Sequence, residues 1–214
     1  MKQFVLLASS IRFYGRHFKP VDLAQNGLAY TKDPFDAERF HRLQALAAEM
    51  AAAHTNAPFE PIHNLFVENI GHATPKMDVR GVVFRSGKLL LVREKSDGGW
   101  TLPGGWVEVG ETPSEAVEKE VWEESGFRTK AIKLLAFYDR DKQGHPPHAY
   151  HIYKALFLCE IVGGAAQTSS ETTEVAFFER KQIPSDLSFS RILPKQIERL
   201  FDQLAHPEWP TDFD

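Results

Sequence analysis

The chain has 214 residues, 43% hydrophobic and 25% charged, with a formal net charge of −4. That suits one sizeable soluble domain, or one domain plus a small appendage, and it gives no global sign of a polyanion-binding surface. The single cysteine, Cys159, excludes an intramolecular disulfide and fits a reducing, cytoplasmic setting, and no apolar run reaches the roughly 18–20 residues of a membrane span.

The start, MKQFVLLASS, has one lysine and a short apolar run, less than a secretory signal needs. The first strong element is DPFDAERFHRLQALAAEMAAAH at 33–54. Asp33 can cap it, Pro34 suits its first position, and Asp36 puts negative charge in its first turn. Phe40, Leu43, Leu46, Ala47 and Met50 recur at helical spacing and predict one apolar face, covered by the rest of the chain or by a partner subunit. Two prolines break the pattern within 55–64, and a Pro-Lys linker follows.

The composition changes at Met77. MDVRGVVF (77–84) and KLLLVRE (88–94) are strand-like and joined by an Arg85-Ser86-Gly87 turn. GGWTLPGGW (98–106) is glycine-rich and turning. Thr112-Pro113-Ser114-Glu115 reads as a capping box with proline next to the cap, and the helix it opens stops at Gly126. Strand-like runs follow at 129–139, 149–161 and 175–178, with Cys159 as a core residue. The 163–170 stretch, GGAAQTSS, reads as a flexible loop. Pro194–Ala205 predicts a last helix with Ile197, Leu200, Phe201 and Leu204 on one stripe.

Seven glutamates crowd residues 104–127 against one lysine, Lys119. At about 100° per residue, Glu120, Glu123 and Glu124 project from one side of the helix. Convergent carboxylates beside a glycine-rich loop suit a divalent cation that handles a phosphorylated substrate. Taken alone, Glu123-Glu124 reads first as a solvated helix face. Glu115 is a capping residue, and Glu108 and Glu118 carry no assigned chemistry.

The spacing of Gly105, Glu111, Lys119, Glu120, Val121, Glu123, Glu124, Gly126 and Phe127 resembles the Nudix box, G-x5-E-x7-R-E-U-x-E-E-x-G-U, with U apolar. A chance match at average residue frequencies is on the order of one in a million. The one departure is Lys119 in place of arginine. More loosely, QNGLAYTKDPFDAERFHRLQALAAEM resembles the helical N-terminal extension of an ADP-ribose or CDP-choline pyrophosphatase subgroup.

The resemblance implies a Nudix-type α/β/α sandwich with a mixed sheet, preceded by a small helical extension. It divides the chain into a poorly defined lead (1–21), the extension (22–74), the hydrolase domain (75–206) and a tail (207–214). It implies a divalent-metal-dependent pyrophosphohydrolase that cleaves the diphosphate of a nucleoside diphosphate linked to another moiety. Mg²⁺ or Mn²⁺ would be held by Gly105, Glu120, Glu123 and Glu124. Glu111 would brace the loop on the helix, and Lys119 would stand where the family's arginine orients carboxylates. The general base would be Glu120 or, as in other members of the family, a later acid, here Glu171 or Glu174. The extension implies a homodimer.

Arg80 and Arg93 either reach substrate phosphate or lie on the surface, and Arg140 is a third substrate-binding candidate. His145, His148 and His151 lack a usual zinc spacing and either line substrate or belong to a plain loop. Trp100 and Trp106 either stack on a base or pack in the core. Two alternatives remain. One is a nucleotide-sensing regulator, for which an eroded box is expected, whereas this box keeps its glutamates. The other is an RNA 5′-pyrophosphohydrolase, which wants a basic groove.

Overall fold

The computed structural model describes residues 19–214 apart from residues 56 and 149. Residues 1–18 of the lead lie outside the described residues. The chain forms two compact units. One ends at Pro75 and takes in Pro146–His151; the other holds Lys76–His145 and Ile152–Asp214.

The first unit contains helices α1 (Lys19–Tyr30), α2 (Pro34–Thr55) and α3 (Phe59–Glu68). Asp33 Oδ1 accepts the Phe35 and Asp36 N–H groups at 2.7 and 3.2 Å, which caps α2 as its sequence suggests. The buried side of α2 differs from the expected stripe. Gln44, Ala47, Ala48 and Ala51 are buried against Val21, Ile62 and Phe66, while Leu46 and Met50 are exposed. The alanines win because small side chains let three short helices approach closely, leaving the bulkier residues at the flank.

The second unit is a seven-stranded mixed sheet between helices. Its strands are β1 (Lys76–Arg85), β2 (Lys88–Glu94), β3 (Trp100–Thr101), β4 (Phe127–Asp139), β5 (Ile152–Gly164), β6 (Thr172–Phe178) and β7 (Asp212–Phe213). β1 runs parallel to β5 from Lys76↔Ile152 to Val83↔Cys159, then turns through Ser86 and Gly87 into β2. β2 pairs with β6 and β3.

Alternation along β1 assigns the two faces. Val79 and Val83, with Ala155 and Cys159, meet Ala116, Val117 and Val121 of helix α4 (Pro113–Ser125). Val82 and Leu156 meet Ile197, Leu200 and Phe201 of helix α5 (Pro194–Ala205). This is the layered α/β/α arrangement expected from the sequence. Gly81 lets α4 lie close, since a Cβ there would fall 2.2 Å from Val121 Cγ2. Leu204 stays exposed at the end of its stripe.

Residues 207–214, read as a tail, are built into the sheet edge. β7 pairs with β4 at Ala136↔Asp212 and Phe137↔Phe213. Arg199 donates to both Asp212 carboxylate oxygens at 2.6 and 2.7 Å. No helix of the described residues is long and apolar enough to cross a membrane.

Candidate active site

Strand β1 and helix α4 hold the glycine loop between them. Gly81 N–H donates to the Pro103 carbonyl at 2.8 Å and Val79 N–H to that of Gly105 at 2.9 Å. The loop thus lies along β1 on the side away from β5. Gly104 has φ 146°, and a Cβ there would come 2.0 Å from the Val79 carbonyl oxygen. The contact requires glycine on both counts. Helix α4 starts with a reciprocal capping box between Thr112 and Glu115 and ends in left-handed Gly126.

The box residues then fall into place. Glu124 is buried, and its Oε2 accepts the Gly104 N–H at 2.8 Å. The Glu120 carboxylate lies against Gly105, where a Cβ would stand 2.8 Å from Oε2. Lys119 Nζ pairs with Glu111 Oε1 at 2.6 Å. Glu118 instead accepts the Ala131 N–H at 2.9 Å and tethers α4 to β4.

Glu120, Glu123, Glu124 and Glu171 line one cavity of about 790 Å³, with Lys119 on its wall and residues 167–170 facing the helix. Burial pushes the Glu124 carboxyl up to about 8; Glu94 and Glu120 add to this, while Arg80 and the Gly104 N–H oppose it. Burial, with Glu123 and Glu171, raises Glu120 to about 7 against Lys119 and Arg80. Among the described residues, no three His, Cys, Asp or Glu side chains converge tightly enough to hold a metal ion. The donors nevertheless fit one chemically. They are hard oxygens on one helix that line one cavity and repel one another, and a divalent cation would relieve that repulsion. The Gly105 carbonyl accepts from Val79 and keeps its second lone pair.

The other sequence candidates are dispersed. Glu174 lies across from Arg93 on β6, bonded to it at 2.7 Å, and is not among the residues lining the cavity. Arg93 also reaches Asp186 and the Gly98 carbonyl. Arg140 is buried against the Ser190 carbonyl. His145 is buried with Nδ1 2.8 Å from the Phe189 carbonyl oxygen, whereas His148 Nδ1 accepts the Tyr150 N–H. Trp100 packs in the core; Trp106 is half exposed. Burial raises the Cys159 thiol to about 12, as suits a core residue.

Arg80 is buried as well, and its charge acts on Glu120 and Glu124. Asp78 grips it through Nε and Nη2 at 3.1 and 2.6 Å, and Nη1 donates to the Leu102 carbonyl. Lys154, across on β5, also bonds Asp78. Burial opposes ionisation of Asp78, yet the two cations outweigh it and hold the carboxyl well below its usual range. Asp78, Lys154 and the buried Glu94 escaped the sequence reading. Only the Asp78-x-Arg80 spacing, two residues on one strand face, could have signalled the pair.

Residues 74–200 match the NUDIX domain model. The chain belongs to the Nudix hydrolase family. Residues 22–66 match the model described as "UDP-X-like, N-terminal oligomerisation domain". The chain is 46% identical over 192 residues to the Bacillus subtilis (strain 168) protein "Putative ADP-ribose pyrophosphatase YjhB", covering 90% of this chain and 92% of that one. The solved structure of a UDP-X diphosphatase superposes with a TM-score of 0.62 at 34% identity, over 92% of this chain and 95% of that one. That of an ADP-ribose pyrophosphatase from Streptococcus suis 89-1591 gives 0.60 at 35% identity, over 66% of this chain and 100% of that one. The Nudix box of this chain is the segment that carries Glu120, Glu123 and Glu124 to the cavity.

Proposed function

We propose that this Nudix hydrolase is a divalent-metal-dependent pyrophosphohydrolase acting on a nucleoside diphosphate linked to another moiety, of the ADP-ribose or CDP-choline class. The observation that carries the reading is that Glu120, Glu123, Glu124 and Glu171 line one cavity beside the glycine loop. The names of the Bacillus relative and the Streptococcus structure favour ADP-ribose within that class.

Glu120, Glu123, Glu124 and the Gly105 carbonyl would hold Mg²⁺ or Mn²⁺, which when bound neutralises phosphoryl oxygens and acidifies water. Glu120 is the first candidate base, because its carboxylate lines the cavity beside the glycine loop. Glu171 is the second candidate base, favoured over Glu174, whose carboxylate is engaged by Arg93. Lys119 orients the loop through Glu111. Arg80 supplies a fixed positive charge that acts on Glu120 and Glu124. Arg80, Arg93 and Arg140 all have weak claims on direct contact with substrate phosphate, because their guanidinium groups already serve protein acceptors.

The test is hydrolysis of ADP-ribose, CDP-choline, sugar nucleotides and 5′-triphosphate RNA with Mg²⁺ and with Mn²⁺, each with a chelator control. ADP-ribose is expected to be cleaved only with metal. Glu124→Gln should lose at least about a hundredfold in turnover while staying folded. Metal-independent turnover, or full activity in a folded Glu124→Gln protein, refutes the reading. Glu171→Gln is expected to lower kcat more than Glu174→Gln.

We further propose a homodimer formed through the N-terminal extension. Leu23, Tyr30, Phe35, Leu46 and Met50 are exposed there, on the segment that matches an oligomerisation model. A monomeric mass in solution across a wide concentration range would exclude it.

A further inference from the structure

A nucleoside diphosphate needs two unlike surfaces: oxygen and cation chemistry for its diphosphate, and a flat apolar face for its base. The cavity at the box glutamates meets the first requirement almost everywhere. Its wall is built from carboxylates, the Lys119 ammonium, and the amide and hydroxyls of residues 167–170. Among the described residues one aromatic side chain lines it, Trp122, on helix α4.

Trp122 is 46% exposed, although it follows the buried Val121 on a helix packed against the sheet. Its ring is not loose. The Arg128 guanidinium, at the start of β4, sits over the indole at 4.9 Å from its centroid. A cation on one face of an indole is attracted by the ring quadrupole and fixes its attitude. The other face then remains for a second planar group. Neither tryptophan singled out by the glycine-rich sequence plays this part: Trp100 is buried against Phe178, and Trp106 is not among the residues lining the cavity.

We propose that Trp122, steadied by Arg128, is the base-stacking subsite of this cavity, and that it takes the purine or pyrimidine ring of the nucleotide whose diphosphate meets the glutamates. The inference rests on the proposed nucleotide substrate class, and it adds which residue distinguishes a nucleotide from a bare sugar phosphate. At about 790 Å³ the cavity has room for both parts of such a ligand.

The test separates this subsite from the catalytic reading by measuring binding without turnover. Calorimetry would compare AMP with ribose 5-phosphate, which lacks the base, on the full chain. The wild-type protein is expected to prefer AMP by about tenfold, the range of one base–aromatic stack. Trp122→Ala should abolish that preference and leave ribose 5-phosphate binding unchanged; Trp122→Phe should retain most of it. Trp122 is half exposed, so both variants are expected to keep the wild-type melting temperature. A Trp122→Ala protein that still prefers AMP overturns the proposal, as does a wild-type protein that does not discriminate. Failure of the hydrolase panel with these binding results intact would instead count against the reaction.

Discussion

Lys119 Nζ lies 2.6 Å from Glu111 Oε1, and the pair fastens the loop before α4 to the helix itself. The hydrogen bond to Glu111 is the largest influence raising the lysine, with the charges of Glu108 and Glu120 adding to it. An ammonium serves such a role as a point charge; a guanidinium could hold Glu111 and a second carboxylate at once.

Replacing this lysine should therefore show in catalysis more than in stability, because the pair is partly solvated. Lys119→Ala is expected to lower kcat/KM several-fold with little change in melting temperature, and Lys119→Arg to match or exceed the wild type. Glu111→Gln should resemble Lys119→Ala, and the double variant should be no worse than either single one. Additive losses would mean that the two residues act separately.

The two loop glycines fail differently. At Gly104 an added Cβ meets backbone, the Val79 carbonyl, and φ is 146°. Neither can yield cheaply, so Gly104→Ala should lower the melting temperature and pry the loop from β1. At Gly105 the Cβ meets the end of the flexible Glu120 side chain at 2.8 Å. Gly105→Ala should therefore melt near the wild type yet lose turnover, since it displaces a carboxylate. Thermal melts beside kinetics check both, and equal melting temperatures for the two variants would contradict the argument.

What the sequence made legible is what local chemistry encodes. The capping box at Thr112, the stop at Gly126 and the bounds of Pro194–Ala205 are set within a few residues of chain, and they were readable there. The box spacing placed Glu120, Glu123 and Glu124 on one side of a helix for the same reason. Pairing across distance was not readable. That Glu171 lines the cavity while Glu174 faces Arg93 depends on the register of β6 against β2. The grip of Asp78 on Arg80 needed a strand whose buried face could not be known beforehand. In α2 the periodicity was visible, but alanine packing chose a stripe different from that of the larger side chains.

His145 provides a pH signature away from the glutamates. Burial is the main cause that lowers its ring to about 3, with the Phe189 carbonyl opposing and Lys154 and Arg140 adding. The folded value is below the ordinary 6.5, so the fold favours the neutral ring. Its contribution to stability is full above pH 6.5 and is lost as pH falls toward 3, on the order of a few kcal/mol across the window. His145→Asn does not titrate there. Thermal melts from pH 7 to pH 4 should show the wild type losing stability faster than the variant. Parallel curves would mean that the folded ring takes up its proton as readily as the unfolded one, and so is not shielded by burial.

The C-terminal segment is the remaining prediction, and it follows from the edge of a sheet. β4 would present unpaired backbone groups along one side if β7 were absent. The segment is held by more than that ladder. Lys133 Nζ donates to the Pro207 and Trp209 carbonyls at 2.8 and 2.7 Å, and Arg199 spans Asp212 while lying 4.2 Å from the Trp209 ring centroid. Asp214 accepts from Gln143 at 2.7 Å. Removal of residues 207–214 should thus lower the melting temperature and cause concentration-dependent aggregation through the bared β4 edge. None of these residues lines the glutamate cavity, so kcat/KM well below the melting point should stay near that of the full chain. Asp212→Ala removes the Arg199 bond but keeps the ladder, so a smaller shift without aggregation is expected. If the point variant aggregated as readily as the truncation, the ion pair and not the strand pairing would be what closes the edge.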